Sequence, residues 1–271
     1  MSQLLITGGA GFIGSHTCLT LLEAGHDLVV IDNYSNSTPE VLRRVAHLAK
    51  LEGSSRLKVI EGDIRNIEDL DCAFSQATTS IDAVVHFAGL KSVRESVQFP
   101  KRYWDVNVGG SIALIDGMRR HNCRKIVFSS SATLYGYTSE LPISETSSVQ
   151  PMNPYGKSKA EVEHLLAELI AHETNWHIAC LRYFNPVGAH PSGHIGEAPN
   201  GPPNNLFPFV SQLAVGAREA LHVFGGDWPT PDGSAVRDYI HVMDLAAGHL
   251  AALDVLQREG PQCMTLNLGS G

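Results

Sequence analysis

Thr7-Gly8-Gly9-Ala10-Gly11-Phe12-Ile13-Gly14 follows the short apolar run Leu4–Thr7 and opens the amphipathic stretch Ile13–Ala24. The octapeptide satisfies both G-x-G-x-x-G and the wider G-x-x-G-x-x-G. Glycines in these places permit a tight turn and let backbone N–H groups approach a pyrophosphate at a helix N-terminus. A plain glycine-rich turn would carry the same residues, so the reading rests on what surrounds it.

What surrounds it is an alternation. Leu28–Asp32, Leu57–Glu61, Ala83–His86, Lys125–Ser129 and Ile178–Arg182 continue the strand pattern begun at Leu4–Thr7, and Pro39–Leu51, Ile67–Gln76, Tyr103–His121 and Tyr155–Thr174 continue the helical one. Strands separated by single helices imply parallel βαβ units, hence an α/β fold with a doubly wound parallel (Rossmann) sheet. Residues 1–184 are expected to form this dinucleotide-binding domain.

After Tyr183 the texture changes. Residues 185–205 carry Pro186, Pro191, Pro199, Pro202 and Pro203 with glycines between them, a long irregular segment of the functional kind. Beyond it the patterns predict a helix at Leu206–Ala217, a strand at Leu221–Phe224, a turn at Pro231-Asp232-Gly233, a helix at Val242–Gln257 and a strand at Thr265–Leu268. Residues 185–271 thus read as a smaller, incomplete C-terminal substrate domain whose elements can interleave with the first. The chain's end on Asn267-Leu268-Gly269-Ser270-Gly271 is read as a shortening of a longer protein.

The 271 residues are 43% hydrophobic and 18% charged, a globular composition rather than a disordered one. Twenty Lys and Arg against 28 Asp and Glu give −8, a field that disfavours nucleic acid and anionic membrane. Cys18, Cys72, Cys123, Cys180 and Cys263 form no metal-type or redox pair, and no metal site is expected. They read as reduced thiols. The N-terminus lacks a signal-peptide pattern, and no apolar run reaches the ~18 residues of a membrane span. A soluble, cytoplasmic protein is expected.

The second strand ends in Asp32, where a carboxylate can accept from the adenosine ribose hydroxyls and repel a 2′-phosphate; no Arg follows in Asn33-Tyr34-Ser35-Asn36-Ser37. NAD is the cofactor this predicts. The third strand leads to Asp63-Ile64 and the fourth to His86-Phe87-Ala88, both at the carboxyl edge where ligands bind. His86 itself reads as a packed strand-end residue.

Asn153-Pro154-Tyr155-Gly156-Lys157-Ser158-Lys159 looks like a helix start, with Asn153 as cap and Pro154 in the first turn. Tyr155 and Lys159, four apart, then share a face. The positive helix end and the Lys159 ammonium are expected to lower the Tyr155 pKa towards a general base. The fifth strand ends in Ser129-Ser130-Ser131-Ala132-Thr133, a hydroxyl row at the same edge.

This conjunction resembles the extended short-chain dehydrogenase/reductase family, in which a Ser or Thr, a Tyr and a Lys act with bound NAD. Within it, Thr7–Gly14, Phe87–Lys91, Ser129–Thr133, Arg182–Pro191, Pro203–Leu206 and Val236–Leu245 are similar to the UDP-hexose 4-epimerases of that family, over essentially the whole chain. The resemblance implies an isomerase interconverting UDP-glucose and UDP-galactose at C4 through a 4-keto intermediate, acting as a homodimer. It makes Tyr155 the base, Lys159 its tuner and a ribose ligand, and Ser131 the partner of the 4-hydroxyl. Gly8, Gly11, Phe12, Ile13, Gly14, Asp32, Asn33, Asp63, Ile64, Phe87, Ala88, Lys91, Tyr155, Lys159 and Phe184 would line the NAD site. Ser131, Asn185, Asn205, Leu206, Phe224, Arg237 and Tyr239 would hold the nucleotide-sugar, with Arg237 supplying positive charge for the pyrophosphate. The family's NAD-contacting Asn falls at Val106, and the neighbouring Asn107 stays outside the site.

Two other readings share these residues. A nucleotide-sugar 4,6-dehydratase needs an acid pair after the active-site Ser, where this chain has Ala132-Thr133. A non-catalytic NAD-sensing protein on the same fold would dispense with Tyr155 or Lys159, and both are present.

Overall fold

The computed structural model describes residues 2–137, 141–201, 203–223 and 225–271. The apolar runs become strands β1 (Gln3–Thr7), β2 (Asp27–Asp32), β3 (Leu57–Glu61), β4 (Ala83–His86), β5 (Lys125–Ser131) and β6 (His177–Tyr183). β1 and β4 are buried at every residue, and β2, β5 and β6 at all but the first. Such two-sided burial belongs to a parallel sheet covered by helices. Seven of the described strands pair in parallel in one sheet, in the order β3-β2-β1-β4-β5-β6-β9, with β9 at Gln262–Leu268. The chain reverses direction across the sheet between β1 and β4, and a crevice opens at that switch point, outside the strands' carboxyl ends.

Two apolar layers cover the sheet. On one face α1 (Phe12–Glu23), α2 (Pro39–Leu48) and α9 (Val242–Arg258) meet Leu4, Ile6, Leu28, Val30 and Val127. On the other, α3 (Ile67–Ser75), α6 (Gly110–Arg120) and α7 (Pro154–His172) meet Leu5, Val29, Val84, Ile126 and Ile178. α1 is buried nearly all round, and its Leu19 and Leu22 share a cluster with Leu245, Leu253 and Leu256 of α9. Each such leucine contributes roughly 1.5–3 kcal/mol by burial. The C-terminal region therefore returns to the first sheet: α9 covers α1, and β9 pairs with β6 from His177↔Gln262 to Tyr183↔Leu268.

The helix expected over 103–121 is divided. α4 (Val93–Gln98) and the single turn α5 (Pro100–Tyr103) precede a π-helical turn at Trp104–Gly109, and α6 follows. Such turns insert a residue into the helix and recur at functional sites. A 3₁₀ turn at Ala132–Tyr135 follows β5.

Two three-residue strands, β7 (Asn185–Val187) and β8 (Tyr239–His241), pair in parallel as a separate small sheet. α8 (Leu206–Ala214) lies between them in the chain. The strand expected at Leu221–Phe224 does not form: Leu221–Val223 is irregular, and Phe224 lies outside the described residues. Leu221 and Val223 are exposed, so the apolar alternation there has no sheet to pair with.

Candidate active site

Every residue expected in the NAD or nucleotide-sugar site, Phe224 apart, lines one cleft of ≈ 870 Å³ along the carboxyl edge of the sheet. The glycine turn forms its floor. Gly8 has φ +70°, and a Cβ there would lie 2.6 Å from the Ala88 nitrogen; one on Gly14 would strike the Gly8 carbonyl. The turn is thus pressed against both the end of β4 and itself. Gly11 caps α1 without a side-chain bond, and the first intrahelical bond runs from Ser15 N–H to Gly11 C=O at 2.9 Å. The first-turn N–H groups of Phe12, Ile13 and Gly14 have no intrahelical acceptor and stand at the cleft wall.

Asp32 is buried beside them. Its Oδ2 accepts Ala10 N–H at 2.9 Å, and its Oδ1 accepts Tyr34 N–H at 2.9 Å and Ser37 Oγ–H at 3.0 Å. Three donors on a carboxylate with about four lone-pair sites leave room for another hydroxyl. Asp63 bonds Asn33 and Arg65, and the Arg65 guanidinium brings its pKa down to about 2 against the opposing effect of burial. A glycine cradle with bare N–H groups, walled by an anion at the ribose end, fits a dinucleotide without a 2′-phosphate.

At the other end, Asn153 Oδ1 accepts Gly156 N–H at 2.8 Å and starts α7 as expected. Lys159 Nζ donates to the Ser129 carbonyl at 2.7 Å and lies 4.8 Å from the Phe128 ring centre. Burial brings the Lys159 amine down to about 8, opposed by the Glu163 carboxylate. Ser131 Oγ–H donates to Thr133 Oγ1 at 2.9 Å and accepts Thr133 N–H at 3.2 Å, and the hydroxyl lies close enough to the Tyr155 phenol to act on its pKa. The Tyr155 pKa is not lowered as the sequence led us to expect. Burial of its hydroxyl pushes it up, and only the neighbouring Ser131 side chain opposes this. The Lys159 ammonium is turned to the Ser129 carbonyl.

A buried polar chain supports this end. Ser111 Oγ–H donates to Asn107 C=O at 2.6 Å, so His86 Nε2–H donates to Ser111 at 2.9 Å and His86 Nδ1 accepts from Thr7 Oγ1 at 2.6 Å. Burial, then Lys159, brings His86 down to about 3, which keeps it neutral. Asn107 clamps Leu90 through both backbone groups and donates to Ser158 Oγ at 2.9 Å; Ser158 in turn donates to the Tyr155 carbonyl at 2.7 Å. Asn107 therefore holds the walls of the cleft, while Val106 lines it.

At the small sheet, Asn185 and Tyr239 sit opposite each other in β7 and β8, with Phe207 edge-on to the Tyr239 ring at 5.4 Å. Arg237 is exposed at the rim. Sequence reasoning missed Glu197, whose Oε1 accepts both Lys91 Nζ at 3.1 Å and Asn205 Nδ2 at 2.6 Å. It joins Lys91, beyond the end of β4, to Asn205, at the N-cap of α8. Asn200 bonds Asn36 and Ser37, and Ser92 donates to Asn204, so the irregular segment straps across the cleft. Nothing in a Pro- and Gly-rich stretch marks these residues beforehand. Thr133, beside the serine row, was legible there but not selected.

The family model described as NAD dependent epimerase/dehydratase matches residues 4–269. The chain belongs to the NAD dependent epimerase/dehydratase family. Among the curated members of that family, a bifunctional UDP-glucose 4-epimerase and UDP-xylose 4-epimerase of Pisum sativum is 51% identical over 99% of this chain and 77% of its own length. A UDP-glucose 4-epimerase of Bacillus subtilis is 49% identical over 99% and 78%. The crystal structure of the Bifidobacterium longum UDP-glucose 4-epimerase, in complex with NAD+ and UDP, superposes with a TM-score of 0.93 at 46% identity, covering 99% of this chain and 78% of that one. The match extends over both the sheet and the β7–β8 region, so the epimerase/dehydratase assignment does not rest on the glycine turn alone.

Proposed function

We propose that this chain interconverts UDP-glucose and UDP-galactose at C4 using NAD, with Tyr155 as base, Lys159 as its tuner and Ser131 as partner of the 4-hydroxyl. One observation carries the assignment of roles: Tyr155, Lys159 and Ser131 converge in the same cleft as the glycine turn and the Asn185–Tyr239 pair. Gly8, Gly11, Gly14, the first turn of α1 and Asp32 would hold NAD. NAD, when bound, would supply the acceptor and donor for the C4 hydride and a positive charge in the cleft.

Tyr155 removes the 4-hydroxyl proton as C4 is oxidised and gives one back as the ketone is reduced on its other face, so no net oxidation occurs. Burial holds the phenol protonated in the protein alone, so a cation in the cleft is what favours its ionised form. Ser131 orients the hydroxyl. Asn185, Asn205, Leu206, Phe224, Arg237 and Tyr239 are assigned to the nucleotide-sugar; holding the UDP part leaves the hexose free to turn. Incubation with UDP-galactose and with UDP-glucose, followed by chromatography, should give the same mixture from either side. A 4-keto-6-deoxy product by mass spectrometry would replace this reading with a dehydratase.

We assign the cofactor to residues 1–184, with α9 and β9 returning to that half, and the nucleotide-sugar to residues 185–271. For the assembly we infer a homodimer through α6 and α7, whose outer faces present Ile112 and Leu165 around a shallow cavity. Light scattering at twice the chain mass supports it; a monomer at micromolar concentration ends it. Among the described residues no helix is long and apolar enough to cross a membrane. The five cysteines are all free, which suits a reducing, cytoplasmic setting, and cell fractionation checks that.

A further inference from the structure

Three consecutive serines at the end of β5 face three residues of one helix side. Tyr155, Lys159 and Glu163 are spaced four apart along α7 and so line one side of it. Ser131 lies by the Tyr155 phenol and acts on its pKa, the Ser129 carbonyl accepts Lys159 Nζ at 2.7 Å, and Ser130 Oγ–H donates to Glu163 Oε1 at 2.5 Å. Two of these helix residues have a part in the reaction as read above; Glu163 has none.

Glu163 is firmly fixed. Arg182, the register partner of Ser130 on β6, donates through Nη2 to Oε2 at 2.6 Å and through Nε to Oε1 at 3.1 Å. The two side chains are 7% and 11% exposed. Arg182 Nη1 also bonds Tyr135 Oη at 2.7 Å and the Glu145 carbonyl at 3.1 Å, which ties the pair to the chain beyond the 3₁₀ turn. A buried ion pair is seldom more stabilising than an apolar pair of the same volume. Its place one turn from Lys159 therefore points to a task other than stability.

We propose that Glu163 is a positioning residue of the reaction site: through Ser130 and Arg182 it fixes the end of β5 against α7, and it supplies the counter-charge to the Lys159 ammonium. The proposal rests on the reading of Tyr155 and Lys159 given above. Glu163 faces Lys159 from its own helix and His86 does so from β4, with the Tyr183 phenol nearby at the end of β6 in the same cleft. His86 is neutral, and burial raises the Tyr183 phenol above its ordinary range. Glu163 faces, besides Lys159, Arg182 and the Cys180 and Cys263 thiols of β6 and β9. Among the described residues acting on Lys159, Glu163 is the anion. Without it the amine, already brought down to about 8 by burial, would lose its proton at lower pH.

Competitive trace labelling of amines with acetic anhydride across the neutral and alkaline range, read at the Lys159 peptide by mass spectrometry, measures this titration in the NAD-loaded protein. Glu163→Gln keeps an acceptor for Ser130 but removes the charge, and should lower the Lys159 midpoint by about one unit, with the alkaline limb of kcat/KM moving the same way. Glu163→Asp should coincide with the parent. If Glu163→Gln alone does not fold, Glu163→Gln with Arg182→Met removes the unpaired guanidinium too and should still lower the midpoint, by less than the single change because a cation is lost with the anion. An unchanged midpoint in either variant overturns the proposal, even if kcat falls. A parent that leaves UDP-hexoses unchanged, with the Lys159 midpoint still lowered by Glu163→Gln, ends the functional reading and keeps the positioning role.

Discussion

Asn185 and Tyr239 stand directly opposite each other as Cα partners at the head of the β7–β8 ladder, although far apart in the chain. Asn185 Nδ2 also donates to the Asp238 carbonyl at 2.8 Å, so its side chain stitches the two strands at the point where the nucleotide-sugar is assigned. Asn185→Ala should raise KM for UDP-galactose by about tenfold, the worth of a lost hydrogen bond of about 1–1.5 kcal/mol, while kcat and NAD retention stay close to the parent. Steady-state kinetics decide it: a fall in kcat with unchanged KM would move Asn185 out of the binding shell.

Asp32 anchors the glycine turn through Ala10 N–H and faces the cleft. Acid-denatured protein should release NAD and no NADP, and Asp32→Ala should purify with less dinucleotide than the parent. Enzymatic cycling assays on the supernatant measure both; recovery of NADP from the parent would undo the charge argument.

Tyr155→Phe keeps the ring and removes the ionisable hydroxyl. Turnover should drop by at least the ~10²-fold of a lost general base, with UDP binding retained. Lys159→Met should lose a comparable amount and hold NAD less well. Near-parental turnover in Tyr155→Phe would assign the base elsewhere.

Gly8→Ala meets two obstacles, a φ of +70° and a backbone nitrogen 2.6 Å from the new Cβ. The left-handed backbone alone costs about 1–2 kcal/mol. Thermal unfolding should come down by roughly 3–8 °C, with dinucleotide retention lost as well. An unchanged Tm would mean that the turn relaxes freely.

His86 and His249 are buried neutral, with burial bringing their pKa down to about 3 and about 4 from 6.5. Because the folded values lie below the unfolded one, the stability they contribute is complete above pH 6.5 and is lost as the pH falls towards 4. Each adds a slope of about 1.4 kcal/mol per pH unit in that window. Denaturant unfolding between pH 7 and 4.5 should show it, and His86→Asn should flatten the curve. A curve flat over that range in the parent would contradict the neutral assignment.

The parallel sheet was legible because two-sided burial leaves uninterrupted apolar runs, as at Leu4–Thr7 and Leu28–Asp32. Tyr155 and Lys159 were legible because helical spacing places them together. β7 and β8 were not: three residues are too few for a period, and their pairing is a long-range event. The π-helical turn at Trp104–Gly109 changes the helical phase without changing the apolar texture, so 103–121 read as one helix. The Tyr155 pKa was misjudged because spacing reveals neighbours but not depth, and depth governs it. Glu163 stood in the written sequence one turn beyond Lys159, and only the fold reveals that Ser130 and Arg182 close upon it.

The packing of α9 over α1 has a consequence for synthesis. α1 leaves the ribosome early, with Leu19, Leu21 and Leu22 all destined for burial, and the helix that covers it begins only at Val242. At about 5–20 residues per second, the nascent chain carries this uncovered apolar face for on the order of 10–45 s. During that interval the half-made protein presents apolar surface to its neighbours, and a ribosomal pause anywhere before Val242 prolongs its exposure to aggregation.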